Sequence, residues 1–206
     1  MPDTAGRWLN PRPTPHYARP QEDPMTATSQ NGYSVLDNRT TGDLPRLRKW
    51  KMPDIDRHFL LRDGSVGFIL MHLLLWFHEV VERLDVGVWD EWGWAARMVR
   101  GSDDIVSNHA SGTAADVNAT RHPLGVPTAR TFTAAQQRKI RRRLRVVFLG
   151  LIRWGGDYTR RPDSMHFEVV GSLRACERLA RALMKTPRGR RILAANPGAR
   201  ATILAP

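Results

Sequence analysis

Apolar and polar positions along the chain first fall into a helical rhythm at residues 65–84. Val66, Ile69, Leu70, Leu73, Phe77, Val80 and Leu84 share one helical face. Met71 and Leu75 lie opposite, so this helix is expected to be enclosed on more than one side. The preceding "DGS" supplies a turn and an N-cap. A second helix is announced by Thr133 and Gln136, spaced as a capping box. Ile140, Leu144, Val147 and Leu151 form its inward stripe, and its outer face carries "RKIRRRLR" at 138–145. A further amphipathic helix begins near Ser172, with Leu173, Cys176, Ala180 and Leu183 turned inward. Four short stretches predict strands: "WAARMV" (94–99), "AADVNA" (114–119), "GLIRW" (150–154) and "MHFEVV" (165–170). Their order has no βαβ rhythm and no internal repeat. The fold class that follows is α+β, a small antiparallel sheet flanked by helices.

The ends of the chain have a different texture. Seven of the fourteen prolines precede residue 46, which predicts a Pro-rich, partly extended N-terminal arm over 1–45. Within it, "NGYSVL" (31–36) offers an edge strand after an Asn-Gly turn. Residues 46–185 are expected to form the main domain. Residues 186–206 are expected to be a basic tail with one short helix that then frays.

Charge and composition narrow the partners. A net charge of +12 and an apolar fraction of 41% describe a protein with a real core and an attraction to something anionic: nucleic acid, a membrane face or an acidic wall polymer. Cys176 is the one cysteine, so an internal disulfide and a cysteine zinc site are both excluded; a buried, inert thiol is expected. The first twenty residues lack the apolar core of a secretory signal. The run "VGFILMHLLLWF" (66–77) is too short to span a bilayer. The expectation is synthesis in the cytoplasm with no transmembrane segment.

Candidate chemistry begins at "SNHASGTAADVN" (107–118), where His109 and Asp116 are separated only by small residues. Small side chains let the loop fold back so that the two ligand-type groups can meet. In the strand "MHFEVV", His166 and Glu168 share a face while their neighbours point into the core. His109, Asp116 and His166 together make a His₂Asp set, three ligands with a fourth position open to water, as in catalytic zinc sites. The near-zincin "HEVVE" (78–82) has Glu82 where a second histidine is needed, so His78 and Glu82 are assigned to solvent or polar contacts. His72 is expected to be a satisfied, partly buried histidine. His16, His58 and His122 lack a ligand-like partner.

The motifs "SNHASGTAAD" and "DSMHFE", with "WGGDY" between them, resemble the VanY-type zinc peptidases: the D-Ala-D-Ala carboxypeptidases and the L-alanyl-D-glutamate endopeptidases, many of them phage endolysins. The likeness covers roughly residues 60–170. It implies a Hedgehog/DD-peptidase-like fold, Zn²⁺ held by His109, Asp116 and His166, and Asp163 as catalytic acid/base. Glu168 is a rival base by strand geometry, or a group that orients a ligand. The family's arginine before the first ligand falls on Arg97 or Arg100; Arg97 fits better, although Ala96 stands where a tyrosine is usual, and it would bind the substrate carbonyl or oxyanion, or is an ordinary surface arginine. Ser107 is placed to brace the His109 loop, or is a plain loop serine. The function implied is a peptidoglycan stem-peptide hydrolase, an endolysin cutting L-Ala–D-Glu; a D-Ala-D-Ala carboxypeptidase is the alternative, and a non-catalytic wall or nucleic-acid binding module the reading from another class. The basic helix face 138–145 is assigned to anionic cell-envelope polymers. The absence of aromatic interleaving in that basic run argues against nucleic acid. A monomer that acts at the cell wall after release from the host cytoplasm completes the expectation.

Overall fold

The computed structural model describes residues 27–37, 43–84 and 86–205. Two small antiparallel sheets are flanked by helices. β1 (Leu47–Lys51) and β2 (His58–Arg62) form a hairpin in which Leu47 faces Arg62 and Trp50 faces Phe59. The second sheet has three strands, β3 (Ala114–Asp116), β4 (Ile152–Trp154) and β5 (His166–Val169), with β5 in the centre.

The core is built around α1 (Ser65–Val80), whose residues from Ser65 to Phe77 and His78 are all buried. An all-round apolar helix must be covered on every side. The hairpin, β5 and three C-terminal helices do this. These helices are α4 (Leu173–Leu183), α5 (Pro187–Ala195) and α6 (Ala199–Leu204). Between the sheet strands lie a four-residue helix, α2 (Thr128–Thr131), and α3 (Ala134–Val146). In α3 the Thr133–Gln136 capping box is present in both directions, a device worth about 1 kcal/mol.

Several expectations change at this level. Residues 94–99 form no regular strand, only an isolated bridge from Met98 to Val106, because their hydrogen bonds are divided among Leu60 of β2, the His109 loop and the 105–107 segment rather than given to one partner strand. β3 ends at Asp116, and Asn118 turns to a left-handed φ of 49°, so Asn118 does not continue the strand face. The hairpin β1–β2 is not among the predicted elements, although Pro53 and Asp54 mark its turn. α1 ends at Val80 rather than Leu84 and starts at Gly64 without a side-chain cap. Asp63, the expected capping region's carboxylate, is taken instead by Arg46, Arg48 and Thr202. α3 stops at Val146, and Leu149 and Gly150 turn the chain with positive φ before Leu151. Leu173 points outward, half exposed, and Leu179 takes its place in the core.

The two ends differ most. The segment 27–36 does not add a sheet strand. It makes a turn closed by a Thr28–Ser34 bridge and buries Ser29 and Leu36 against the domain. The expected arm over 1–26 and 38–42 lies outside the described residues. The tail does not fray after one helix: α5 and α6 bury Ile192, Ala199 and Ile203 against α1 and α4. No helix among the described residues is long and apolar enough to cross a membrane.

Candidate metal centre and cleft

The sheet register makes the site. In the β3–β5 pair Asp116 stands opposite His166, and Ala114 opposite Glu168. Directly opposed residues on one face of an antiparallel pair bring their side chains together, so two ligand-type groups meet across the ladder. His109 arrives from the loop before β3. That loop is wound tightly: Ala110 N bonds to Ser107 O, Gly112 N to His109 O and Thr113 N to Asn108 O. Gly112 has a φ of +67°, and a Cβ there would meet the Arg62 backbone nitrogen at 2.6 Å. The small residues between His109 and Asp116 thus allow the loop to coil against the β1–β2 hairpin. The His109 amide donates to the Ser107 hydroxyl at 3.3 Å.

His109 Nε2, His166 Nδ1 and Asp116 Oδ1 converge. The separations are 3.2 Å between the two nitrogens, 3.3 Å from His109 to Asp116 and 2.8 Å from His166 to Asp116. Ligands about 2.0–2.1 Å from a tetrahedral ion stand about 3.3 Å apart, close to this triangle. All three residues are buried. What lies behind each ring decides where the protons are. His109 Nδ1 faces the carbonyl of Gly93, which only accepts, so the ring proton sits there and Nε2 keeps its lone pair. His166 Nε2 faces the Glu168 carboxylate at 3.4 Å, so its Nδ1 is likewise left as an acceptor. With both rings neutral, two imidazole lone pairs and a carboxylate oxygen therefore point at one another with no proton between them. A cation relieves that repulsion, and this donor set suits a divalent ion. Without one, the protein compensates by protonation. Burial opposes charge on His166, but hydrogen bonds to Asp116 and Glu168 outweigh it and raise its pKa to about 10. Burial likewise favours neutral Asp116, yet the two imidazoles hold its carboxyl far below the usual range.

Glu168 is fully engaged. Its Oε1 accepts from Arg153 and from the Tyr158 hydroxyl, and its Oε2 from Asn108 Nδ2. Burial pushes its pKa up, and the His166, Tyr158 and Arg153 contacts overcome this and depress it. The chain of contacts runs further back. Asn108 Oδ1 accepts from the Asn31 amide at 2.9 Å, and Asn31 Nδ2 donates to Thr113 Oγ1 and Val169 O, both at 2.7 Å. Ser29 Oγ reaches Ser111 Oγ at 2.7 Å. The segment 27–36 is therefore strapped onto the His109 loop and the end of β5. Gly93 serves the site in another way. A Cβ there would lie 2.3 Å from Leu60 O, so only glycine brings this carbonyl to His109.

Asp163 differs from Glu168 in its partners. It lies in the turn before β5, where its backbone carbonyl accepts from the His166 amide. Its Oδ1 is buried with no hydrogen-bond partner. Burial raises its pKa; the His166 charge works against this and the Asp116 charge with it. Asp163, Asp116, His166 and Glu168 line one cavity of about 850 Å³, together with Arg97, Arg100 and Ser107. Arg97 is half-buried in this wall, and its carbonyl accepts from the Ser107 amide.

The histidines outside the centre have separate duties. His78 is buried rather than solvated, and its Nδ1 accepts from the Leu84 amide at the end of α1. Glu82 binds His122 and Arg121 and accepts from Asn118, while His122 stacks on Phe132 at 3.8 Å. His72 contacts Thr186 Oγ1 at 3.2 Å, and burial among nearby arginines lowers its pKa to about 3. Cys176 is free and buried. Asn31, Asn108, Gly93, Arg153 and Tyr158 were not singled out by sequence reasoning. Each acts through a contact remote in sequence, and no local spacing marks it.

Residues 100–169 match the model of a family described as D-alanyl-D-alanine carboxypeptidase. The matched stretch contains His109, Asp116, Asp163, His166 and Glu168, and it supports a metal-dependent peptidase. Searches of curated proteins and of solved structures gave no match.

Proposed function

We propose that the protein is a zinc-dependent peptidoglycan stem-peptide hydrolase of the endolysin kind, cutting the L-Ala–D-Glu amide. The observation that carries this reading is the convergence of three ligand-type atoms beside a carboxylate whose Oδ1 is buried and unpartnered, in an open cleft. His109, Asp116 and His166 would hold the ion. Zinc held there would supply Lewis acidity toward the scissile carbonyl and toward an attacking water.

The remaining chemistry belongs to the chain. Asp163 has a free acceptor oxygen and a carboxyl raised by burial, which suits a group that takes a proton from attacking water and returns it to the leaving amine. Glu168 lacks that freedom, since both its oxygens are occupied; it holds the His166 ring in place. Arg97, on the cleft wall, offers a guanidinium to the substrate carbonyl as negative charge develops. Arg138, Lys139, Arg142 and Arg145 are exposed on α3 and would attach the protein to anionic envelope polymers. A D-Ala-D-Ala carboxypeptidase is the second reading, favoured by the description of the matched family.

Mass spectrometry of peptidoglycan digested with zinc-loaded protein tests the proposal. New L-Ala carboxyl and D-Glu amino termini support it, and release of free D-Ala assigns the second reading. Tight retention on stripped walls without new termini would mean a binding module instead.

A further inference from the structure

A second groove leaves the same centre in another direction. It has a volume of about 660 Å³ and begins at His109 and Asp116. Its walls include Trp89 and Trp92, which are 48% and 59% exposed, and Val88, which is 61% exposed. Exposed tryptophans are costly to leave in water and mark contact surfaces. These two are also mounted. The Arg57 guanidinium lies 4.5 Å from the Trp89 ring centroid, and Arg57 is itself held by Glu91 and the Leu84 carbonyl. His58 meets the same indole edge-on. Trp92 is fixed by its backbone, which exchanges hydrogen bonds in both directions with Asp116. The Trp89 indole and the Trp92 backbone are thus held relative to the candidate ligands, while much of both side chains stays open.

The two arms of the cleft differ in lining. The larger cavity carries Arg153, Arg160 and Arg161 together with the carboxylates Asp157, Asp163 and Glu168, and Arg153 is paired to Glu168. The smaller groove has no basic residue beyond Arg97 and Arg100, which line both arms where they meet. Its remaining polar wall is Asp90 and Thr120, a carboxylate and a hydroxyl. The exposed guanidiniums able to meet an acidic peptide, Arg160 and Arg161, line the larger arm and not the smaller. The tryptophan arm suits a neutral ligand with apolar C–H faces and hydroxyl edges. We propose that the Trp89–Trp92 groove is a saccharide subsite that stacks an N-acetylhexosamine ring of the glycan carrying the stem peptide. This rests on the peptidoglycan reading above and extends it to the orientation of the substrate: sugar on the tryptophan side, acidic peptide on the arginine side.

Two measurements on the zinc-loaded protein separate this proposal from the reading beneath it. The first is calorimetric binding of a β-1,4-linked N-acetylhexosamine tetrasaccharide. Wild type should bind, and Trp89→Ala and Trp92→Ala should weaken binding about tenfold, with Trp92→Tyr restoring part of it. The second is the ratio of kcat/KM for a glycan-linked stem peptide to that for the same peptide free. The ratio should exceed one in wild type and fall toward one in the alanine variants through KM. No saccharide binding with a wild-type ratio of one overturns the subsite even if peptide is cut. Saccharide binding without hydrolysis of either substrate upholds the subsite and removes the peptidase reading. Loss of binding to neutral phosphatidylcholine vesicles in the alanine variants, with no saccharide binding, would assign the groove to a membrane surface and overturn the proposal.

Discussion

Replacing Glu168 by Gln isolates the group behind the candidate metal ligand from the ligand itself. The carboxylate accepts on both oxygens, from Arg153 and Tyr158 on one and from Asn108 on the other, with His166 Nε2 beside it. A carboxamide has one oxygen, so its NH₂ must face donors on one side. The cheaper placement puts NH₂ toward Arg153, whose side chain is 48% exposed and free to swing out, and toward Tyr158, whose hydroxyl can turn to accept. The opposite placement forces Asn108 to flip and breaks its bond from Asn31. In the cheaper arrangement the ion pair to Arg153 is lost, worth at most about 1 kcal/mol at that exposure. The hydrogen bond to His166 also loses its charge. Losing such a partner behind a ligating histidine weakens metal binding about 10–100-fold, or about 1.4–2.7 kcal/mol. By linkage the gain in melting temperature on zinc loading should shrink by about 3–11 °C. Competitive zinc titration against a chromophoric chelator and thermal melts with and without chelator measure both. Zinc affinity within twofold of wild type, with melting lowered equally in the two states, would show that Glu168 is merely structural and refute the orienting role.

Two further outcomes are expected. Burial raises the Asp163 carboxyl above its unfolded value, so in metal-free protein the fold retains a proton that the unfolded chain releases above about pH 4. Stability then falls as pH rises through the window from that value to the raised one. Asp163→Asn should therefore be at least as stable as wild type at pH 7 without metal, while hydrolysis drops about 10²–10⁴-fold; hydrolysis retained in this variant would exclude Asp163 as the base. Asn31→Ala leaves Val169 O and Thr113 Oγ1 without their donor, which should cost about 1–3 kcal/mol in a denaturant titration. An unchanged midpoint would show that residues 27–36 are not bound to the domain in solution.

The legible parts of the site were those carried by short-range pattern. Glu168 and His166 alternate within one strand, and the run of small residues after His109 signals a tight loop. The capping box at Thr133 is likewise a local signal, and α3 begins where it predicts. The misread elements are those whose hydrogen bonds go to distant segments. Residues 94–99 alternate like a strand, yet their groups are divided among Leu60, His109 and Ile105. The C-terminal residues look like a fraying tail until Thr202 reaches Asp63, 139 residues earlier. Asn31 shows the limit most clearly: an Asn-Gly turn is evident in the sequence, but its bonds to Asn108, Thr113 and Val169 are not.

By itself the sequence determined the α+β class and the residue types able to bind a cation, because helical and strand periodicities and the reach of a short loop depend on neighbours a few positions apart. The tertiary structure alone decided that Asp116 stands opposite His166, that Glu168 is consumed by four contacts while Asp163 keeps an oxygen free, and that two tryptophans border the same centre. Register, burial and proton placement depend on which distant groups arrive at a point, and chain spacing carries no record of that.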